Sequence, residues 1–267
     1  MIASVVVPAH NEEAVLGRCL ASLRDPGLDV VVIANACTDG TAAIAREAGV
    51  RVIETPTPGK AHAIRLGDES CTTFPRIYMD ADVEVSASSV RALAAALARP
   101  GILAAAPVPS WELSGVGWAA RRVHRVHDAL LAPTRALAGV GVYALTAEGH
   151  ARVFPLPDVI SDDGWVHRAF TAEERVVVRE ATSVVRPART LRAELRRRAR
   201  VRRGNRELSN LGRPAPEGGL RLGSLRGLVL DRTVSPIDAL VYLTVVALTR
   251  VRALNGRSGW GRDGSSR

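Results

Sequence analysis

"ASVVVPAHNEEAVLGRCLASL", residues 3–23, decides the fold. It opens as a near-continuous apolar run, breaks at a polar loop and resumes with apolar residues at helical spacing. An unbroken β-branched run suits a strand whose sheet is covered by helices on both faces. The same unit then repeats: "DVVVIAN" leads to "GTAAIAREAG", "RVIETP" to "GKAHAIRLGDES", and "RIYMDAD" follows. This βαβαβαβ series predicts an α/β fold with a Rossmann-like, mostly parallel central sheet flanked by helices.

The alternation runs to about residue 105 and loosens beyond it. "SASSVRALAAALARP" at 86–100 reads as a helix with serines to cap it and a proline to stop it. "ILAAAPVPSW" and "AGVGVYALT" read as strands, 115–135 and "DDGWVHRAFTA" as helices. Residues 186–206 hold ten arginines, 212–224 form a Gly/Pro-rich linker, and 225–256 an apolar or amphipathic helical appendage before a tail at 257–267 expected to be disordered.

An apolar share of 47% over 267 residues supports one sizeable domain with an appendage. The net charge of +9 points to anionic partners. Cys19, Cys37 and Cys71 show neither a disulfide framework nor zinc spacing, which suits a reducing compartment. The first residues lack a basic segment followed by a long apolar one, so an export signal is not expected. "PIDALVYLTVVALTRV" carries Asp238 and Arg250 and falls short of an uninterrupted membrane span.

In an open α/β sheet ligands gather at the carboxyl ends of the strands. Here those ends are "PAHNEE", "NACTDGT", "TPGK" and "DAD". On parallel strands they would converge into one crevice holding helix N-termini, Lys60 and several carboxylates, a set suited to a nucleoside diphosphate and its metal. Taken singly, "NEE" and "TDGT" are also ordinary helix caps, and Lys60 an ordinary loop lysine. Asp80 and Asp82 are harder to reduce to a turn. Alternation points both the same way, and two like charges held together call for a cation.

In order and spacing, "VVVPAHNEE", "NACTDGT", "GKAHAIRLG" and "MDADV" resemble the donor half of a family 2 glycosyltransferase with the GT-A fold. The resemblance covers roughly residues 3–170. It implies a catalytic domain at 1–185, with a nucleotide-sugar donor half at 1–105 and an acceptor half at 106–185. The implied donor is a UDP- or GDP-sugar with Mg²⁺ or Mn²⁺, and the acceptor a lipid-linked, saccharide or small-molecule hydroxyl. Asp82 would be the metal ligand and Asp80 the ribose or metal contact; Pro8, Asn11 and Glu12 would lie along the nucleoside, with Asn35 and Lys60 nearby. "PDVISDDGWVHRAF" matches the family's acidic motif, making Asp163 the general base of an inverting transfer and Asp162 its neighbour. The pair also suits a helix N-terminus. "RRARV" falls where related enzymes carry QxxRW; Arg200 matches the arginine, a diphosphate contact, while Arg197 and Val201 depart from it. Family members often have acids where Ala34 and Asn35 stand, and Asn where Arg65 stands.

The residues also bear on two rival functions. A sugar-phosphate nucleotidyltransferase would open with a glycine-rich basic loop, where this chain has "PAHNEE". A non-enzymatic membrane or nucleic-acid binder would use the arginine run, but no aromatic residues accompany it to stack bases, which argues against nucleic acid. The apolar segment after the run is equally suited to lying on an anionic membrane, with the protein peripheral on the cytoplasmic face, or to packing on protein. His124 and His127 share a helical face without further ligands and read as surface histidines; Gly139 and Gly141 do not complete GxGxxG. Oligomeric state is left open.

Overall fold

The computed structural model describes residues 1–132, 135–213 and 222–255, with side chains described to residue 249. Most of the expected linker, and all of the tail at 257–267, fall outside them. Met1–Trp111 and Ala136–Val185 pack as one compact unit, and Glu112–Arg135 with the chain from Arg186 onward as a second.

The first unit begins with β1 (Ala3–Ala9), α1 (Glu13–Ser22), β2 (Leu28–Asn35), α2 (Thr41–Glu47), β3 (Arg51–Thr55), α3 (Lys60–Glu69) and β4 (Arg76–Met79), the alternation expected from sequence. β5 (Glu84–Val85), α4 (Ala87–Leu97) and β6 (Ala104–Trp111) follow; α5 (Trp118–Leu131) belongs to the second unit, and the chain returns with β7 (Val142–Leu145), α6 (Ala147–Val153), α7 (Asp162–His167) and β8 (Arg175–Val185). The eight strands lie in the order β3-β2-β1-β4-β7-β6-β8-β5. The four on the β3 side are mutually parallel, whereas β7 runs antiparallel to both β4 and β6.

The apolar run of β1 divides by pleat. Val5 and Val7 enter one core layer with Leu16, Leu20 and Val32, and Val6 enters the other with Ile33, Ile64 and Tyr78. Helices on both faces explain why no residue of β1 could be polar on a solvent side. Gly67 lets α3 settle onto the sheet, because a Cβ there would lie 2.4 Å from Ile33 Cδ1 and 2.5 Å from Val6 Cγ1.

β8, at 11 residues, had no counterpart in the sequence reading. Its pairing with β6 runs Ala104–Pro107 against Arg175–Val178, then jumps to Val108 against Thr182. Arg179, Glu180 and Ala181 therefore bulge out of the ladder, splitting the strand into two short pieces with no continuous alternation.

In the second unit α5 packs with α8 (Leu191–Asn210), α9 (Leu222–Leu230) and α10 (Pro236–Asn255) around Val123, Val126, Leu195, Leu225, Tyr242 and Val245. Part of the arginine run faces inward: the fully buried Glu194 accepts from Arg197 Nε at 3.0 Å and Arg198 Nε at 2.6 Å. Despite burial, the arginines and His124 hold its carboxyl down to about 2. His124 is itself buried facing Glu194, so it is not the surface histidine expected; burial lowers its pKa and that of His127, the latter to about 3. No helix among the described residues is long and apolar enough to cross a membrane.

Candidate active site

The sheet order creates the site. From β1 the chain steps outward to β2 and β3, then passes back beyond β1 to β4. Connections leaving the carboxyl ends of β1 and β4 thus diverge, and a crevice opens between them. Pro8, the end of β4 at Met79 and Asp80, Lys60, Tyr143, Asp162 and Asp163 line it. A larger cavity of ≈ 220 Å³ in the second unit, lined by Glu112, Ser114, Arg186 and Arg189, has no comparable cluster of carboxylates.

The loops around the crevice are tied to one another. Asn11, at φ +53°, accepts from Thr38 N at 2.8 Å through Oδ1; Glu12 N donates to Thr41 Oγ1 at 2.7 Å, and Gly40 N to Glu13 Oε2 at 2.8 Å. "PAHNEE" and "NACTDGT" are therefore one stitched rim as well as helix caps. Asn35, buried, donates from Nδ2 to Gly59 O at 2.5 Å and accepts from Gly59 N at 3.3 Å, which sets Lys60 at the start of α3. Arg65 donates to Leu156 O at 2.6 Å and pairs with Asp158 at 2.9 Å, holding the loop that leads to α7.

β4 ends at Met79, so Asp80 and Asp82 stand in a turn closed by Val83 N donating to Asp80 O at 3.2 Å, rather than on the strand. Burial still alternates: Ala81, Val83 and Val85 enter the core, leaving Asp80 and Asp82 facing outward together. Burial, then the charges of Asp80 and Glu12, push the Asp82 carboxyl up to about 6. Lys60 Nζ lies 2.7 Å from Asp80 Oδ1 and 2.9 Å from Asp162 Oδ1. Burial alone would lower its pKa, but Asp162, Asp80 and Asp163 outweigh this and hold it above the ordinary lysine range. Asp162 is buried and raised mainly by that burial, with Lys60 opposing.

Asp163 sits in the first turn of α7 with both oxygens oriented. Oδ1 accepts from Ser161 Oγ at 2.9 Å and Gly164 N at 2.7 Å, Oδ2 from Gly139 N at 2.7 Å. The loop before β7 thus reaches both acidic sites, since Asp80 N donates to Gly141 O at 2.9 Å. Gly141 has φ +69°, and a Cβ there would meet Val83 Cγ2 at 2.6 Å, so "GVG" is shaped by close approach to the acidic turn. Tyr143, on β7, went unremarked in the sequence. It is 3% exposed, stacks on Tyr78 at 5.0 Å, and its hydroxyl has no hydrogen-bond partner although it lines the crevice. A lone tyrosine in an apolar strand offers no sequence signal for that placement.

Pro8, Lys60, Asp80 and Asp163 are therefore brought together, Asp82 and Glu12 act on the same electrostatic cluster, and Asn11 and Asn35 build the rim. Arg200 lies exposed on α8 in the second unit.

A parallel β3-β2-β1-β4 half, an antiparallel β7 and a carboxylate-lined crevice define the GT-A class of architecture. The family model for glycosyl transferase family 2 matches residues 4–138, and the chain belongs to that family. It is 34% identical over 145 residues to an uncharacterized glycosyltransferase of Mycobacterium tuberculosis, covering 49% of this chain and 65% of that relative's length. A 4,4'-diaponeurosporenoate glycosyltransferase of Staphylococcus haemolyticus is 37% identical over 92 residues, 31% of this chain and 24% of its own. Among solved structures, a mannosyltransferase from Pyrobaculum calidifontis in complex with GDP-Man and Mn²⁺ aligns over 96% of this chain and 76% of its own, with TM-score 0.61 and 19% identity. Glucosyl-3-phosphoglycerate synthase from Mycobacterium tuberculosis, with Mn²⁺, UDP and glucosyl-3-phosphoglycerate, aligns over 82% of each chain with TM-score 0.55 and 24% identity.

Proposed function

We propose that this protein transfers a sugar from a UDP- or GDP-sugar to an acceptor hydroxyl, with inversion at the anomeric carbon and with Mg²⁺ or Mn²⁺. The observation that carries the reading is the convergence of Pro8, Lys60, Asp80 and Asp163 on one crevice at the switch point between β1 and β4. Asp163 takes the proton of the acceptor hydroxyl as the acceptor oxygen bonds to the anomeric carbon and the sugar–diphosphate bond breaks. Three donors to its carboxylate hold it in one orientation for that transfer.

The residues fit a hard cation. Asp80 and Asp82 offer oxygen ligands, and the raised Asp82 carboxyl marks a charge cluster that a cation would relieve. With Asp80 and Asp82 as its protein ligands, the ion's remaining positions would fall to substrate phosphates and water. When bound, the ion would supply charge neutralisation to the departing diphosphate. Lys60 holds the two acidic motifs together through Asp80 and Asp162. Pro8, Asn11, Glu12 and Asn35 would border the nucleoside, and Arg200 enters only through its motif match, as a diphosphate contact.

The acceptor class is a lipid-linked, saccharide or small-molecule hydroxyl, and the proposed location is peripheral, on the cytoplasmic face of the membrane. A panel of nucleotide sugars assayed for turnover with Mn²⁺ tests the reading. One donor should be consumed, and Asp163→Asn should lower kcat by about 10²–10⁴-fold while nucleotide binding persists. Unchanged kcat in that variant would remove Asp163 from the chemistry.

A further inference from the structure

Among its described side chains, the outer face of α10 carries no charge. Ile237 is 54% exposed, Leu240 66%, Leu243 36% and Leu248 45%, and the exposed positions between them, Thr244 and Ala247, carry no charge. These residues recur at helical spacing on the side opposite Tyr242, Val245 and Val246, which enter the core of the second unit. The carboxylate near the start of the helix faces inward. Asp238 Oδ1 accepts from Arg122 Nη1 at 2.6 Å, and Asp238 and Ser235 cap the helix reciprocally at 3.0 and 3.1 Å. A helix apolar on both faces, one against protein and one against solvent, has an unpartnered surface.

Charge identifies what covers it. The second unit holds 23 basic and 8 acidic side chains, a net +15, whereas the first holds 13 and 19, a net −6. Along α8 the exposed arginines are Arg192, Arg196, Arg200, Arg203 and Arg206, spaced so that they form one stripe down the helix. A second copy of this chain would present the same positive field, so self-association over this unit is opposed by like charge. A nucleic acid would take the arginines but leave the Leu/Ile face in water, since no exposed aromatic residue on α10 is available to stack bases. An anionic bilayer takes both: aliphatic side chains enter the acyl boundary while arginines meet lipid phosphates.

We infer that the outer face of α10, with the basic surface of its own unit, docks on an anionic lipid bilayer. This gives a surface to the peripheral location proposed above and is independent of the sugar-transfer chemistry. Sedimentation of the full chain with phosphatidylcholine vesicles, with and without phosphatidylglycerol, tests it. Binding should be at least about tenfold tighter to the phosphatidylglycerol vesicles and fall with salt. The exposed-site variant Ile237→Ser/Leu240→Ser/Leu248→Ser should lose at least about tenfold in binding with its circular dichroism and thermal midpoint unchanged. Arg192→Gln/Arg203→Gln/Arg206→Gln should weaken binding and flatten the salt dependence. Full retention of binding by the apolar variant, absence of binding by the wild type, or preference for duplex DNA over the vesicles would overturn the inference. So would a wild-type dimer in ultracentrifugation that the apolar variant converts to monomer while vesicle binding is unaltered. Donor turnover measured in parallel separates the two readings: vesicle binding without turnover counts against sugar transfer alone.

Discussion

Replacing Asp82 by asparagine should make the metal-free protein more stable at neutral pH. Its carboxyl is raised from 3.8 to about 6 by burial and by the charges of Asp80 and Glu12. A group whose folded pKa lies above its unfolded one binds its proton more tightly in the native state, so its ionisation costs stability. The cost is complete above pH 6, shrinks as pH falls through 6, and is gone below about 4. Each pKa unit corresponds to about 1.4 kcal/mol, and for a half-buried carboxylate open to solvent screening the total comes to about 1–3 kcal/mol. Urea denaturation of wild type and Asp82→Asn at pH 4, 6 and 7.5 reads it directly. The variant should gain about 1–3 kcal/mol at pH 7.5 and close to nothing at pH 4. Added Mn²⁺ should stabilise the wild type and leave the variant largely unmoved. A variant less stable at pH 7.5, or a gain of equal size at pH 4, would refute the account of the acidic turn as a store of repulsion.

Tyr143→Phe keeps the stack on Tyr78 and removes a buried hydroxyl without a partner, so the fold should gain roughly 1 kcal/mol in chemical denaturation. Asp238→Asn removes a carboxylate held down to about 2 by its hydrogen bonds to Ser235, Arg122 and Arg125 despite its burial. The wild-type advantage, about 1–3 kcal/mol, should be present above pH 4 and disappear as pH falls through 2, followed by acid titration of stability. Arg200→Ala should raise the KM for the donor with the circular dichroism spectrum unchanged, and an unaltered KM would remove it from the donor site.

What was legible in the sequence follows from short-range patterns. The unbroken apolar runs of β1 and β2 announced strands buried on both faces, and the polar breaks after them marked the strand ends where a doubly wound sheet opens. Those local features survive translation into structure because strand pleat and helix period act over a few residues. β8 escaped because its two pieces are joined by a three-residue bulge, so its pairing depends on β6 rather than on its own alternation.

The residue types of the site were legible too, but their working relations were not. Lys60 could be read as a lysine at a strand end; only the packing of α3 on β1 and β2, with Lys60 as its first residue, makes it the bridge between Asp80 and Asp162. Asn35 was expected near the nucleoside, and the fold shows its amide engaged with Gly59. Gly139 and Gly141 looked like a failed dinucleotide motif, and their positive φ values serve to bring the loop against Asp163 and Asp80. The sequence by itself determined the sheet-and-helix alternation and the acids at its strand ends, because those are properties of neighbouring residues. Tertiary structure alone decided which carboxylate faces which cation, and left α10 apolar on both sides, because those depend on residues far apart in the chain meeting across the fold.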